Sequence, residues 1–347
     1  MAEILALGIS HYPPLSGQDE TMAALLGAML QNPHLPEKLK TPAGWPEGAR
    51  AEWSNDKGKA AAGKHRQELI EWNRKARKAL DDFKPDFVLI WGDDQYENFK
   101  EDIIPSYAIS AHPHFEYHFP KNNIWNESPD KTHRLEGNQK AAKELTTALI
   151  QKGFDVAYSY KPLHHPLGHA FTNGINYLDY DRKGFPYPVI PFAINCYGRH
   201  VIAQKGGRPN FEKPLTPSEL DPPGPAPWRL FDLGAEIVRY LQQTPYRVAV
   251  IASSGWSHAF LTAKTHYLWP DREADRALYN AIRSGNYEFW RNYSSAQIEE
   301  SGQQECLNWS CLAGALRELN RVPAQAGLVD TWIFNSSKCF VIAPPAA

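Results

Sequence analysis

A chain of 347 residues that is 42% hydrophobic, 12% aromatic and 22% charged can bury a sizeable core, which excludes intrinsic disorder as a description of the whole. The length is within what one large α/β domain reaches. A formal net charge of −2 gives no electrostatic reason to expect a polyanion, so nucleic acid is not an expected partner.

The chain opens with Glu3 and the apolar run Ile4 to Ile9, too short for a signal peptide or a membrane span. Nothing else approaches the roughly 18 apolar residues of a spanning helix, so a soluble, cytoplasmic protein with no membrane partner is expected. Ile4 to Ile9 reads as a strand running into Ser10-His11. The segment from Gln31 to Lys64 is rich in Pro, Gly and charge and reads as a long irregular excursion. A helix is expected from about Leu69 to Phe83, stopped by Lys84-Pro85-Asp86. Together these make an insertion, about 31–83, placed to cover an active site. Phe87 to Trp91 reads as a strand ending in Gly92-Asp93-Asp94-Gln95. Asn138 to Lys152 reads as a helix with Gly153 set to cap it, and Val189 to Ile194 as a strand running into Asn195. Residues 203–227, with GGRPN and PPGPAP, form a second irregular stretch. Leu230, Leu233, Ile237, Val238 and Leu241 give helical spacing over Trp228 to Gln243, and Val248 to Ala252 reads as a strand leading to SSGWSH and His258.

Strands apolar on both faces, alternating with helices, predict an α/β fold: a central, mostly parallel sheet flanked by helices, in one domain over 1–347. In such sheets ligands bind outside the carboxyl ends of the strands. His11, Asp94, Gln95, Asn195 and His258 would project there.

Four cysteines without CxxC spacing support neither a zinc knuckle nor a disulfide framework. The 13 histidines are the richer source of chemistry. His11, in SHYPPL, is a strand-end residue stiffened by two prolines; it reads as a metal ligand or as a loop histidine. His258, in SSGWSHAF, reads as an acid/base or as a hydrogen-bonded histidine at the core edge. Glu305 begins a helical pattern in GQQECLNWSCLAGALREL. It reads as a cap answering the helix dipole, or as the carboxylate of a two-His, one-carboxylate iron site. In LHHPLGHAF, His164, His165 and His169 would suit a metal or an acidic substrate, with His169 orienting substrate. His112, His114 and His118 read as a surface or interface segment. GxSxG, GxGxxG and GxxxxGK[ST] are absent, which removes the nucleophile-elbow and nucleotide-fold readings.

The order of these strings resembles the class III (LigB-type) extradiol ring-cleavage dioxygenases. The likeness runs from residue 3 to about residue 316: Ser-His-xx-Pro after the first strand, GDDQYENFKEDIIP, PLGHAF, GWSH and ECLNW. GDDQYENF, YLDYDRKGFPYPVIP and ExxNW are most similar to the 3-O-methylgallate dioxygenase branch. The resemblance implies a LigB-like catalytic domain that opens a small catecholic or gallate-like ring. Fe(II) would hold the substrate and O2, and both oxygen atoms would enter the product. It implies His11 and Glu305 as iron ligands, His258 as the acid/base and His169 as a contact to substrate or oxygen, with His165 and Asn195 as further substrate contacts. Better-known members place a second ligand His in an Asn-Asp-His turn after the second strand. Here that position holds Gln95, or Asp94 in the neighbouring register. His65, in AAAGKHRQEL, is the candidate to supply the missing nitrogen. The alternative is a LigB-fold protein without ring cleavage, either a metal-binding or interaction protein or a non-oxidative metal-dependent enzyme. Many relatives pair with a small helical subunit; here the insertion would serve in cis, in a homodimer.

Overall fold

The computed structural model describes residues 3–345; Met1, Ala2, Ala346 and Ala347, the ends of the expected 1–347 domain, lie outside the described residues. Its strands are β1 (Ile4–Ile9), β2 (Phe87–Asp93), β3 (Tyr107–Ser110), β4 (His114–Tyr117), β5 (His133–Glu136), β6 (Ala157–Ser159), β7 (Val189–Ile194), β8 (Val248–Ser253), β9 (Gln325–Val329) and β10 (Lys338–Ala343). The helices are α1 (Ala24–Met29), α2 (Glu47–Trp53), α3 (Lys59–Phe83), α4 (Gln139–Gln151), α5 (His169–Leu178), α6 (Gly198–Ala203), α7 (Pro227–Leu241), α8 (Arg272–Ser284), α9 (Tyr287–Arg291), α10 (Ser295–Glu300) and α11 (Cys306–Glu318).

Eight strands make one sheet in the order β6-β3-β7-β2-β8-β1-β10-β9, and β4 pairs with β5 apart from it. The centre, β7-β2-β8-β1, is parallel throughout, and antiparallel pairs appear only toward the edges, at β3 with β7 and at β10 with β1 and β9. All four central strands are buried along their whole length, as strands covered on both faces must be. Successive side chains point to opposite faces. Gly8 therefore lies under the Trp309 indole of α11, while neighbouring Ile9 faces Gly174 of α5. The sheet is flanked by helices in the way the alternation of apolar runs predicts.

The structure departs from sequence expectation in three places. The long helix starts at Lys59, not near Leu69, and α2 with short 3-10 turns occupies much of the 31–64 excursion. Both β2 and β8 run further than their apolar cores, to Asp93 and Ser253. His112 to His118 does follow a strand, β3, and His114 opens β4.

Two packing details matter for the site. On α3, Trp72 stacks on Phe340 of β10 at 5.8 Å between ring centroids. One helical stretch away, the Arg66 guanidinium donates to the carbonyls of Leu15 (2.6 Å) and Gly17 (2.7 Å) and to Asp19 (2.6 Å). The helix α3 thus clamps the loop that leaves His11. Against the opposite face, α7 and α11 meet through Gly234 and Gly314, where a Cβ would run into the partner helix's backbone at Cys311 and Phe231. That close approach fixes the angle at which α11 presents its N-terminus to the sheet. No described helix is long and apolar enough to cross a membrane, and all four cysteines are buried and unpaired.

Candidate metal centre

The carboxyl ends of β1, β2 and β8 meet the N-termini of α5 and α11, and five ionisable side chains converge there. His11 Nε2 lies 3.3 Å from Glu305 Oε2 and 3.6 Å from Asp93 Oδ1. His258 Nε2 lies 3.2 Å from Glu305 Oε1. One ligand atom each from His11, Asp93 and His169 falls within 4.8 Å of the others. His11, Asp93 and Glu305 are at most 1% exposed, and His258 6%.

Each group is held by its neighbours. Ser253 Oγ donates to the Ala170 carbonyl (2.9 Å), so in its 3.1 Å contact with His11 the serine accepts from Nδ1–H. His11 Nε2 faces the carboxylates. His169 begins α5, where its backbone N–H and its Nδ1 both donate to Glu97 Oε2 at 2.9 Å. This second carboxylate fixes the ring, which meets the His11 ring edge-on at 5.1 Å. Glu305 stands at the N-cap of α11 but makes no side-chain capping bond. Its carboxylate instead accepts from Gly255 N–H (2.5 Å) and from the Tyr197 hydroxyl. Behind the centre, Asn308 donates to the Ser253 carbonyl at 3.0 Å and approaches Asp93 Oδ1 at 3.5 Å. Fully buried Asp275 accepts from Ser257 N–H (3.0 Å) and Gln303 (2.8 Å), tying the His258 turn to the segment that leads into Glu305.

The electrostatics follow from burial and crowding. Burial, then the charge of Glu305, pushes Asp93 up to about 7. Burial works the same way on Glu305, but the His258 and His11 charges and the bonds from His11 and Tyr197 outweigh it and hold that carboxyl well below its usual range. His258 is lowered by burial, against the pull of Glu305. His169 is lowered by burial too, yet Glu97, helped by Asp93 and Glu305, holds it up to about 10. Asp93 Oδ2 and His258 Nδ1 are buried and have no hydrogen-bond partner. Two buried carboxylates, one of them pushed toward neutrality, beside the ring nitrogen of His11 that faces them form a donor set short of one cation. A divalent metal fits it. His11, Glu305, Asp93 and His169 are the residues that would hold it, a nitrogen-and-oxygen set of the kind that suits non-haem iron(II).

The remaining expected site residues sit elsewhere in the same neighbourhood. Asp94 turns away and accepts from the backbone N–H groups of Glu97 (3.0 Å), Asn98 (2.8 Å) and Phe99 (3.4 Å). Gln95 donates to the Gly206 carbonyl at 2.7 Å. His65 is buried on α3 between Tyr12 (6.1 Å) and Phe334 (5.0 Å), with Nε2 unpartnered, and it is not among the residues whose ligand atoms cluster. Asn195 accepts from Gly198 N–H at 3.0 Å. His165 is exposed on the rim of a cavity of about 340 Å³ that also touches Glu97, His169, Tyr117 and Asn173. That cavity borders the centre at His169 and is within the size range of small-molecule sites. Asp93 and Glu97 are the functional residues that sequence reasoning missed. No local pattern separates Asp93 from Asp94; the backbone N–H groups of residues 97–99 draw Asp94 away and leave Asp93 facing the centre.

No family model matches the chain. Among curated proteins it is 25% identical over 179 residues to a 2,3-dihydroxyphenylpropionate/2,3-dihydroxicinnamic acid 1,2-dioxygenase of Photorhabdus laumondii, covering 52% of this chain and 45% of that one. It is 25% identical over 183 residues to the enzyme of the same name from Comamonas testosteroni (53% and 46% covered). A third, from Pseudomonas putida, is 24% identical over 197 residues, covering 55% of this chain and 49% of that one. The matched stretch thus spans about half the length of these relatives. Among solved structures, one of an uncharacterised Escherichia coli K12 protein matches with a TM-score of 0.43 at 10% identity, over 78% of this chain and 91% of that one.

Proposed function

We propose that the chain is an Fe(II)-dependent extradiol-type dioxygenase that opens a small catecholic or gallate-like ring with O2, nearest in kind to the 3-O-methylgallate dioxygenase branch. The observation that carries this reading is the convergence of buried His11, Asp93 and Glu305 with half-buried His169, where burial and the Glu305 charge raise Asp93. The likeness to three ring-cleaving dioxygenases supports the same class of chemistry. The iron, when bound, would hold a deprotonated diol and dioxygen side by side and pass electrons between them.

The protein's own residues would do the rest. His258, lowered by burial and with its Nδ1 unpartnered, is the group to take a proton from a substrate hydroxyl. His169, its Nδ1 donating to Glu97, is held in place beside His11 and Asp93 as a residue that would hold the metal. Tyr197 fixes one oxygen of Glu305 and Gly255 N–H the other, so the carboxylate keeps its orientation. Burial of His11, Asp93, Glu305 and His258 keeps bulk water from their side of the reacting position, while half-buried His169 borders the cavity.

A second reading, metal binding without ring cleavage, is favoured by Gln95, whose side chain is occupied by Gly206 where the resemblance leads one to expect a ligand histidine. Anaerobic reconstitution with Fe(II), followed by oxygen-uptake assays over catechols, gallates and methylgallates, separates the two. Oxygen consumption that disappears in His11→Ala and Glu305→Ala supports the dioxygenase. Tight iron binding with no oxygen consumption on any diol removes it.

A further inference from the structure

On the far side of Tyr197 from Glu305 lies a narrow throat of about 20 Å³, lined by Tyr197, Arg199 and Gln304 among others. It shares His200, Glu299 and Gln304 with a wide cleft of about 560 Å³, so the two adjoin across these side chains. The cleft is walled by Phe211, Tyr267 and Leu215, with the Phe211 and Tyr267 rings 5.2 Å apart.

Two polar groups at the junction lack partners. Gln304 is 7% exposed, its Oε1 is buried without a hydrogen bond, and its side-chain nitrogen makes none either among the described residues. Arg199 Nε is buried and unpartnered, and its guanidinium forms no ion pair or side-chain hydrogen bond among the described residues. Buried polar groups left without partners are uncommon and call for an explanation. A half-buried guanidinium with no carboxylate in ion-pair contact among the described residues, next to a free amide and an aromatic wall, has the chemistry of a receptor for a carboxylate on an apolar body. Glu299, on the same wall, disfavours a second negative charge.

We infer that the throat and cleft form a binding site for an aromatic monocarboxylate: the carboxylate at Arg199 and Gln304, the ring laid against the wall that Phe211 and Tyr267 make together. Because Tyr197 lines the throat and donates to Glu305, the occupant lies one side chain from the proposed metal centre. The site does not depend on the reading of that centre.

The test is an isothermal titration of the full chain, without added iron, with 2-naphthoate and with its neutral amide. Wild type is expected to bind the acid at one site and at least about tenfold more tightly than the amide. Arg199→Gln should weaken the acid by roughly 10- to 100-fold and the amide by less than about threefold. Phe211→Ala, on the half-exposed wall, should weaken both ligands alike and serves as a second probe if Arg199→Gln fails to fold. Equal affinity for acid and amide in the wild type, or an acid affinity untouched by Arg199→Gln in a folded protein, would overturn the proposal. No oxygen is consumed in this measurement, so failure of the site and failure of the dioxygenase reading are separately visible.

Discussion

Glu97→Gln tests how the centre is held together, because it removes a charge and little else. Glu97 Oε2 accepts two hydrogen bonds from His169, at 2.9 Å each. Burial would raise this carboxyl, but the His169 charge and those bonds hold it at about 2 against an ordinary 4.5. At about 1.4 kcal/mol per tenfold, that fall corresponds to roughly 3 kcal/mol. The side chain keeps 26% of its exposure, and solvent screening brings the working figure to about 2 kcal/mol. His169 is displaced further than Glu97 because Asp93 and Glu305 act on it as well. The sign follows from linkage. A depressed carboxyl contributes its full stability above about 4.5 and loses it as the pH falls toward about 2. A raised imidazole contributes below about 6.5 and loses its share as the pH rises through about 10. In metal-free protein, urea unfolding should therefore show Glu97→Gln about 2 kcal/mol less stable near pH 6, with the gap closing toward both extremes. Nuclear magnetic resonance titration should place His169 about 1.5–2.5 pH units lower in the variant. A gap that stays constant with pH, or a His169 still titrating near 10, would refute the coupling.

Asp93→Asn should act in opposite directions on stability and on metal binding. A buried acid raised to about 7 penalises the native state increasingly as pH climbs from about 4 to about 7. The metal-free variant should therefore be more stable than wild type at pH 8, by about 2–4 kcal/mol in urea, while Fe(II) affinity measured by anaerobic dialysis falls at least about tenfold. His65→Leu should keep one metal per chain and unfold within about 1.5 kcal/mol of wild type; metal lost from a folded variant would instead place His65 in the metal's coordination sphere. Gly8→Ala should cost about 2–3 kcal/mol by calorimetry, since its Cβ would collide with the Trp309 indole. An unchanged Tm would show that α11 can shift to make room.

Much of this architecture was legible because central parallel strands must be apolar on both faces. Ile4 to Ile9 and Val189 to Ile194 are strands over the expected residues, and His11, His258 and Glu305 come together from three distant parts of the chain. What escaped notice did so for physical reasons. Asp93 ends a strand whose hydrogen bonds outlast its hydrophobicity: it still pairs with Ile194 of β7, so it faces the centre, while the more conspicuous Asp94 and Gln95 bind backbone. The first turns of α3 are KAAAGK, small and charged residues without an apolar stripe, and tertiary contacts such as Arg66 with the 15–19 loop hold them helical. Glu97 belongs to the site solely through its contact with His169, 72 residues away, a pairing that no local pattern announces.

The most direct test of the central claim is a single turnover under isotopically labelled dioxygen, using protein loaded anaerobically with Fe(II) and a catechol that it binds. The account predicts a ring-opened product carrying both labelled atoms, and none from Glu305→Ala. A folded, iron-loaded protein that leaves every diol intact, or a product with label in one position only, would contradict it.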